Sequence, residues 1–145
     1  MKKIISITCI LISALLCCAC GCAGEIEVND SYGLAKQKAE KYGGFEYGRF
    51  IFYKKFNKNF VIQIDEYAMK VEEIYEFKDT SISDTDIDSI KEGMSVVEVV
   101  KLCGNPVGSL TSGMRTLDFK TREKNTLRIY FDSNMNVVDV YLIND

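Results

Sequence analysis

Three aspartates at alternate positions, Asp84, Asp86 and Asp88, form the one spacing in this chain that suggests a metal site, because a calcium-binding loop begins in this way. Such a loop also needs glycine at its sixth position and a bidentate acidic side chain at its twelfth. Those two positions are Ser89 and Ser95. We therefore expect no metal here and assign the aspartates to helix capping and a solvated linker.

The residues that catalysis usually requires are scarce. The sequence contains no histidine, which removes the usual general base near neutral pH and the commonest metal ligand. Cys103 has apolar neighbours at helical spacing, so we expect it to pack inside the protein rather than act as a nucleophile. The sequence predicts a protein that is not an enzyme and that uses no cofactor.

The remaining cysteines crowd into the first 22 residues, at Cys9, Cys17, Cys18, Cys20 and Cys22. The rest of the chain offers only Cys103 as a partner, so they do not form a disulfide framework. Two lysines at the start precede an apolar stretch, Ile4–Leu16, that is too short to cross a bilayer comfortably. This arrangement is typical of a targeting segment and not of part of the fold.

The end of this segment resembles a bacterial lipoprotein signal, in which a small residue directly precedes the cysteine that receives the lipid. Ala19 precedes Cys20, and Gly21 precedes Cys22. We expect lipidation at Cys20, with Cys22 as the alternative. A plain secretory signal or a short membrane anchor is the other interpretation. The predicted segments are a signal peptide over residues 1–19 and a tether over residues 20–29.

The resemblance implies that a lipid holds the mature chain to a membrane outside the cytoplasm. That membrane is the cell membrane, or the outer membrane if the cell has one. Lipoproteins sorted to an outer membrane lack aspartate after the lipidated cysteine, and Gly21 fits that pattern. Each buried methylene of such a lipid contributes about 0.8 kcal/mol to membrane retention.

The charge of the mature chain excludes several partners. Removing Lys2 and Lys3 from the 18 basic residues leaves 16, against 21 acidic residues, so the net charge becomes −5. Nucleic-acid binding requires clustered basic side chains, which an acidic chain of this kind does not offer. Electrostatic adhesion to anionic lipid is disfavoured for the same reason, so the lipid has to supply the attachment.

The first half, residues 30–79, reads as one helix followed by a three-stranded meander. The helix is predicted over Ser31–Tyr42, with Asn29 or Asp30 as its cap and two glycines as its end. Its strands are predicted at Arg49–Phe56, Phe60–Glu66 and Lys70–Phe77. The first strand is apolar on both sides, which is typical either of a central strand covered on both faces or of an exposed patch.

The second half, residues 84–145, is organised around a short amphipathic helix that begins after Gly93. Ser95 and Glu98 have the spacing of a capping box. Gly104 and Pro106 end the helix, because glycine allows a left-handed residue and proline prevents continuation. One face of this helix carries Val96, Val99, Val100 and Cys103. A short helix capped by Asp84 or Asp86 is predicted before it, and strands at Arg115–Thr121, Thr126–Asp132 and Val137–Ile143 after it.

The two halves share the order helix and three strands, which suggests a duplication. At an offset of 66, residues 50–79 align with residues 116–145, and seven of the thirty pairs are identical. In that register, however, the apolar residues of the middle strands fall on opposite faces. A true repeat therefore requires a compensating bulge or gap at the middle strand.

The segment Gly93-Met94-Ser95, the valine-rich helix and the closing Gly104-x-Pro106 resemble the small outer-membrane-assembly lipoproteins of the SmpA/OmlA (BamE-like) family. The β-lactamase-inhibitor-protein (BLIP) fold, a tandem duplication of such a module, shares this layout. The first half lacks the glycine-methionine start and the glycine-x-proline end. The resemblance implies an α+β module that acts through protein–protein contact, without chemistry.

These observations predict an α+β fold of one or two tandem modules, each with short helices packed on a three- to four-stranded antiparallel sheet. Aromatic side chains dominate many protein interfaces, and we single out Tyr47, Tyr53 and Phe52 as candidate protein-binding residues, although most aromatic residues of the first half could instead form its core. The predicted function is a membrane-anchored, non-catalytic lipoprotein that binds an unidentified envelope or extracellular protein. The alternative is an inhibitor of an extracellular enzyme.

Overall fold

The computed structural model describes residues 24–110 and 114–144, so the predicted signal peptide and both candidate lipidation sites lie outside the described part. The fold is mixed α+β, with one antiparallel sheet in the order β1-β2-β3-β4 and a second in the order β5-β6-β7. The elements in chain order are α1 (Tyr32–Glu40), β1 (Phe45–Tyr47), β2 (Phe50–Lys55), β3 (Lys58–Asp65), β4 (Lys70–Lys78), a 3₁₀ helix (Asp84–Ser89), α2 (Val96–Cys103), β5 (Thr116–Lys120), β6 (Thr126–Phe131) and β7 (Val137–Ile143).

Strand β2 is a central strand covered on both faces. Phe50 and Phe52 pack into a core with α2, whereas Ile51 and Tyr53 pack into a second core with α1. This explains why the sequence of β2 is apolar on both sides. The sequence analysis did not predict β1, because three residues are too few to show an alternating pattern.

The molecule is layered, because α2 belongs to one core with residues of both sheets. One face of the first sheet is covered by α1. The opposite face packs on α2, which contacts β3 and β4. The buried valines of α2 share that core with the inner face of the second sheet. The two halves therefore form one continuous structure.

The start of each helix is fixed by a serine cap. In α2, the Ser95 side chain accepts from the Glu98 N–H, and the Glu98 carboxylate accepts from the Ser95 N–H at 2.8 Å, so the capping box is confirmed. In α1 the cap is Ser31, which corrects the expectation of Asn29 or Asp30. The Asp30 carboxylate instead accepts from the Glu27 N–H and from Lys38.

The segment between the halves also corrects one expectation. Ser83, and not Asp84 or Asp86, occupies the N-cap position of the 3₁₀ helix, and its side chain makes no cap hydrogen bond. At the end of α2, Gly104 has a φ of +85°, which only glycine adopts readily. A Cβ atom at this position would lie 2.3 Å from the Thr80 carbonyl oxygen. Glycine is therefore required here for close approach of the linker as well as for the helix end, and Pro106 follows in a buried position.

The two halves repeat the same hairpin registers. Equivalent residues differ in number by 66 between β2 and β5, by 67 between β3 and β6, and by 66 between β4 and β7. Counted between equivalent residues, the β5–β6 turn is therefore one residue longer than the β2–β3 turn. This is the one-residue gap that the apolar pattern requires. The β3–β4 hairpin has a bulge at Gln63/Ile64, and the β6–β7 hairpin has one at the equivalent Tyr130/Phe131. The equivalent cross-strand pairs are Tyr53↔Phe60 with Phe119↔Leu127, and Ile62↔Ile74 with Ile129↔Val140.

The helix starts correspond as well, although their sequences differ. The Asn29 N–H donates to the Val71 carbonyl at 2.9 Å, and the Gly93 N–H donates to the Val137 carbonyl at 2.8 Å. Both Asn29 and Gly93 have positive φ angles, of 71° and 84°. Asparagine tolerates this conformation better than most residues. In the first half, therefore, Asn29 takes the position that Gly93 has in the glycine-methionine start of the second half.

Candidate binding cleft beside the β2–β3 turn

The aromatic residues chosen from the sequence as exposed candidates are largely buried. Phe52 is 1% exposed and Tyr53 is 6% exposed, so neither presents a free surface. Phe52 lies in the core with α2 and Tyr53 in the core with α1. Of the two, only Tyr53 lines a cleft. Tyr47 is half-buried against the core between the halves, and burial raises its pKa, opposed by a hydrogen bond with the Thr116 backbone.

A cleft opens instead at the end of the first sheet, between α1 and the segment that leads into it. Its inner part has a volume of about 280 Å³, and it adjoins a second part of about 470 Å³ at the β2–β3 turn. Both parts share Lys55 and Phe60. We call the combined space the turn cleft. Its apolar lining is Ile26, Tyr42, Tyr53, Phe56, Phe60 and Ile74.

Three stacked aromatic rings form the wall of the turn cleft. The ring centroids of Tyr53 and Phe60 are 4.7 Å apart, and those of Tyr42 and Tyr53 are 5.9 Å apart. The Lys55 ammonium lies 5.4 Å from the centroid of Tyr42, within the range of a cation–π contact. Burial raises the pKa of the Tyr53 phenol to about 12, so this hydroxyl stays neutral at physiological pH.

Phe56 stands at the rim of the turn cleft in an unusual conformation. It belongs to the two-residue connection between Lys55 and Lys58, its φ is +56°, and its side chain is 86% exposed. Left-handed backbone is uncommon for a bulky residue and costs of the order of 1 kcal/mol or more. The sequence analysis missed this feature because it placed the turn one residue later, at Asn57–Asn59, and left Phe56 at the end of a strand.

The rim of the turn cleft carries more positive than negative charge. Lys38, Lys55, Lys58 and Lys78 line it, against Glu25 and Glu76. Lys55 lies 3.6 Å from Glu25, and Lys58 pairs with Glu76. Within residues 24–110 and 114–144, Lys78 forms no ion pair. Lys38 pairs with Asp30 at 2.8 Å, so Lys78 is the rim lysine without a carboxylate partner among the described residues.

A metal site and a reactive thiol each place requirements on the described residues. Among them, no group of three or more acidic or cysteine side chains is arranged to hold a metal ion. Cys103 is 3% exposed, and burial raises the pKa of its thiol to about 12. A thiol that stays protonated is a poor nucleophile. No helix in the described part of the chain is both long and apolar enough to cross a membrane.

Comparison with known proteins finds no matching family model, no matching curated protein and no matching solved structure. The use of the turn cleft is therefore argued from its own residues.

Proposed function

We propose that this chain is a lipid-anchored, non-catalytic protein that binds another protein outside the cytoplasm through Phe56 and the turn cleft. The observation that carries the proposal is the exposure of Phe56 in a strained conformation. Residues held in sparsely populated backbone conformations cluster at active sites, ligand clamps and switch regions. Exposed aromatic residues next to a cleft are also the kind of anchor that dominates protein–protein binding energy.

The anchor follows from the cysteine pattern at the N-terminus, with Cys20 as the lipidated residue and Cys22 as the alternative. We expect cells fed an alkyne-labelled fatty acid to incorporate the label into the wild-type protein. The Cys20→Ala variant loses the label, whereas Cys103→Ala keeps it because Cys103 lies in the core. If only Cys22→Ala loses the label, the alternative site is the correct one. Absence of label from every form contradicts the anchor.

The finer description of the fold is also a proposal. We infer that the halves are tandem copies of one helix-and-meander module of the BamE-like or BLIP-like kind. The shared registers, the equivalent bulges and the two matching helix starts support the duplication. The resemblance to these proteins implies action through protein contact, which agrees with the use proposed for the turn cleft.

The binding surface can be tested with a photo-crosslinking amino acid in place of Phe56. The control is the same amino acid in place of Tyr67, which is fully exposed in the β3–β4 turn at the opposite end of the sheet. Irradiation of intact cells is expected to give a discrete crosslinked protein from position 56 and none from position 67. Equal yields from both positions, or no product from position 56, would contradict a binding role for this surface.

An inhibitor of an extracellular enzyme is the second candidate. The same observation favours it, because a tight hairpin turn that projects an apolar side chain can enter a concave active site. The two candidates differ in the identity of the crosslinked protein. A membrane or cell-wall assembly component supports the first, and a soluble hydrolase supports the second.

A further inference from the structure

The second half of the molecule shows what fills the space equivalent to the turn cleft. There, the linker segment Ser81–Ser83 runs beside the turn between β5 and β6. The Arg122 N–H donates to the Ile82 carbonyl at 2.9 Å, and the Arg122 Nε donates to the Ser81 carbonyl at 2.8 Å. The Ile82 side chain is 4% exposed and belongs to the core of that half. An extended segment with one aliphatic side chain therefore closes this end.

Within the described residues, the first half has the same walls without that segment. Tyr53 and Phe60 face each other across the β2–β3 hairpin, and Phe119 and Leu127 face each other at the equivalent place in the β5–β6 hairpin. Phe119 and Leu127 are 0% exposed, whereas Tyr53 and Phe60 line the turn cleft. The turn cleft is therefore the position that Ile82 and its neighbours fill in the other half.

The chain cannot fill this position with the residue at the equivalent place. The Met94 N–H donates to the Lys91 carbonyl at 3.2 Å, and the Asp30 N–H donates to the Glu27 carbonyl at 3.1 Å, so a shift of 64 relates the segments before the helices. The same shift relates Ile82 to position 18. Cleavage before Cys20 or Cys22 would remove that residue with the signal peptide.

We propose that the turn cleft receives an extended segment of the partner protein, with an aliphatic side chain in the place that Ile82 takes in the second half and acidic residues beside it. This inference rests on the proposed function and names the chemistry of its partner. Charge complementarity supports it, because Lys78 on the rim has no ion pair within the described residues. In the internal counterpart, Ile82 lies between Asp79, which pairs with Lys54, and Asp84, which accepts from Asn125.

The residues that precede Gly24 in the chain are a poorer occupant. The stretch from residue 20 to residue 23 reads Cys-Gly-Cys-Ala, with no branched aliphatic side chain and no acidic side chain. It matches neither the apolar walls nor the basic rim. We therefore assign the turn cleft to a segment from another protein.

The test combines the crosslinker at position 56 with a substitution that fills the turn cleft. Ile74 lines the inner part and is half-buried, so Ile74→Phe is expected to occupy the space. The control is Val138→Phe, at a half-exposed position on β7. We expect Ile74→Phe to lower the crosslink yield by about tenfold, the factor expected from losing the burial of one aliphatic side chain. Val138→Phe should leave the yield unchanged.

A peptide experiment keeps the inference testable if Ile74→Phe does not fold. The peptide Asp-Thr-Ser-Ile-Ser-Asp-Thr-Asp, which copies residues 79–86, is expected in excess to suppress the crosslink from position 56. The same peptide with serine in place of isoleucine should not suppress it. Mass spectrometry of the crosslinked product is expected to find isoleucine, leucine or valine beside acidic residues in the partner segment.

Each failure has a different meaning. A crosslink from position 56 that neither Ile74→Phe nor the peptide reduces would overturn the inference and leave the proposed function standing. A crosslink within the same chain, from position 56 to the N-terminal peptide or its lipid, would also overturn it, because the chain then fills its own cleft. Absence of any crosslink from position 56 would contradict the proposed function itself.

Discussion

At the scale of single residues, the chain is most constrained where segments approach each other closely. Gly104 is such a place, because the Thr80 carbonyl occupies the space that any side chain would need. Gly33 is the opposite case, since a Cβ added within α1 would meet nothing within 4 Å. One glycine is therefore required by packing, and the other only weakens a helix.

We expect Gly104→Ala to lower the free energy of unfolding by more than about 2 kcal/mol, because it combines a positive φ with a collision against backbone. Gly33→Ala, the matched control, should raise it by about 0.5–1 kcal/mol, because alanine is the better helix former. Urea unfolding of both variants measures these changes. A loss below about 0.5 kcal/mol for Gly104→Ala would show that the linker can move away from α2.

At the scale of elements, both helices are too short to be stable alone, so caps and packing define their ends. The two caps differ in strength. Ser95 and Glu98 satisfy each other reciprocally, whereas Ser31 makes a single long bond of 3.4 Å to the Leu34 N–H. Beneath these caps, α2 buries three valines and a cysteine, but α1 buries only two alanines.

The Ser95→Ala substitution is expected to lower the free energy of unfolding by about 1 kcal/mol, because the Glu98 N–H loses its acceptor at the helix start. Ser31→Ala should cost about half as much, since the Ser31 hydroxyl makes one cap hydrogen bond, whereas the Ser95 hydroxyl also donates to the Glu98 carboxylate at 2.9 Å. Thermal unfolding followed by circular dichroism would compare the two variants. An equal or larger loss for Ser31→Ala would mean that the second hydrogen bond of the Ser95 hydroxyl, to the Glu98 carboxylate, adds nothing.

At the scale of the whole molecule, the two sheets differ at one cross-strand pair, which is apolar in the first sheet and an ion pair in the second. Phe52 and Val61 face each other on the side of the first sheet that packs on α2. The equivalent residues of the second sheet are Asp118 and Arg128, whose carboxylate and guanidinium form two hydrogen bonds of 2.8 Å. The Arg128 and Asp118 side chains are only 22% and 15% exposed, and a bidentate ion pair satisfies their polar groups there.

Carboxylates in several turns and caps have lowered pKa values, and this sets the acid stability of the whole molecule. The lowering is caused by the Lys38 hydrogen bond at Asp30, by the Ser95 backbone at Glu98 and by the Ser83 side chain at Glu123. Backbone N–H groups have the same effect at Asp65 and Asp132. Each group is therefore more acidic in the folded protein than in the unfolded chain.

Because these folded-state pKa values lie below the ordinary values of 3.8 and 4.5, their stabilisation is complete above about pH 5. It is lost as the pH falls through the folded values. We expect the free energy of unfolding, measured with urea, to change little between pH 7 and pH 5 and to fall steeply towards pH 3. Glu98→Gln should make the fall less steep, and unchanged stability at pH 3 would contradict the prediction.

The sequence predicted most elements because their signals are local. The capping box at Ser95, the glycine after α2 and the alternating strands of the second half depend on neighbouring residues only. The burial of Phe52 and Tyr53 could not be predicted, because exposure depends on what covers a strand, and α1 and α2 come from distant parts of the chain. The turn cleft was missed for the same reason, since its walls come from four separate segments.

The sequence by itself therefore determined the classes of element and the helix that organises the second half, since each depends on adjacent residues. Only the tertiary structure decided which aromatic residues reach solvent, because burial is set by contacts between elements. It also decided that the halves match, through a one-residue gap that no ungapped alignment shows. The place where the first half lacks a counterpart of Ile82 became visible only when the two halves were compared in three dimensions.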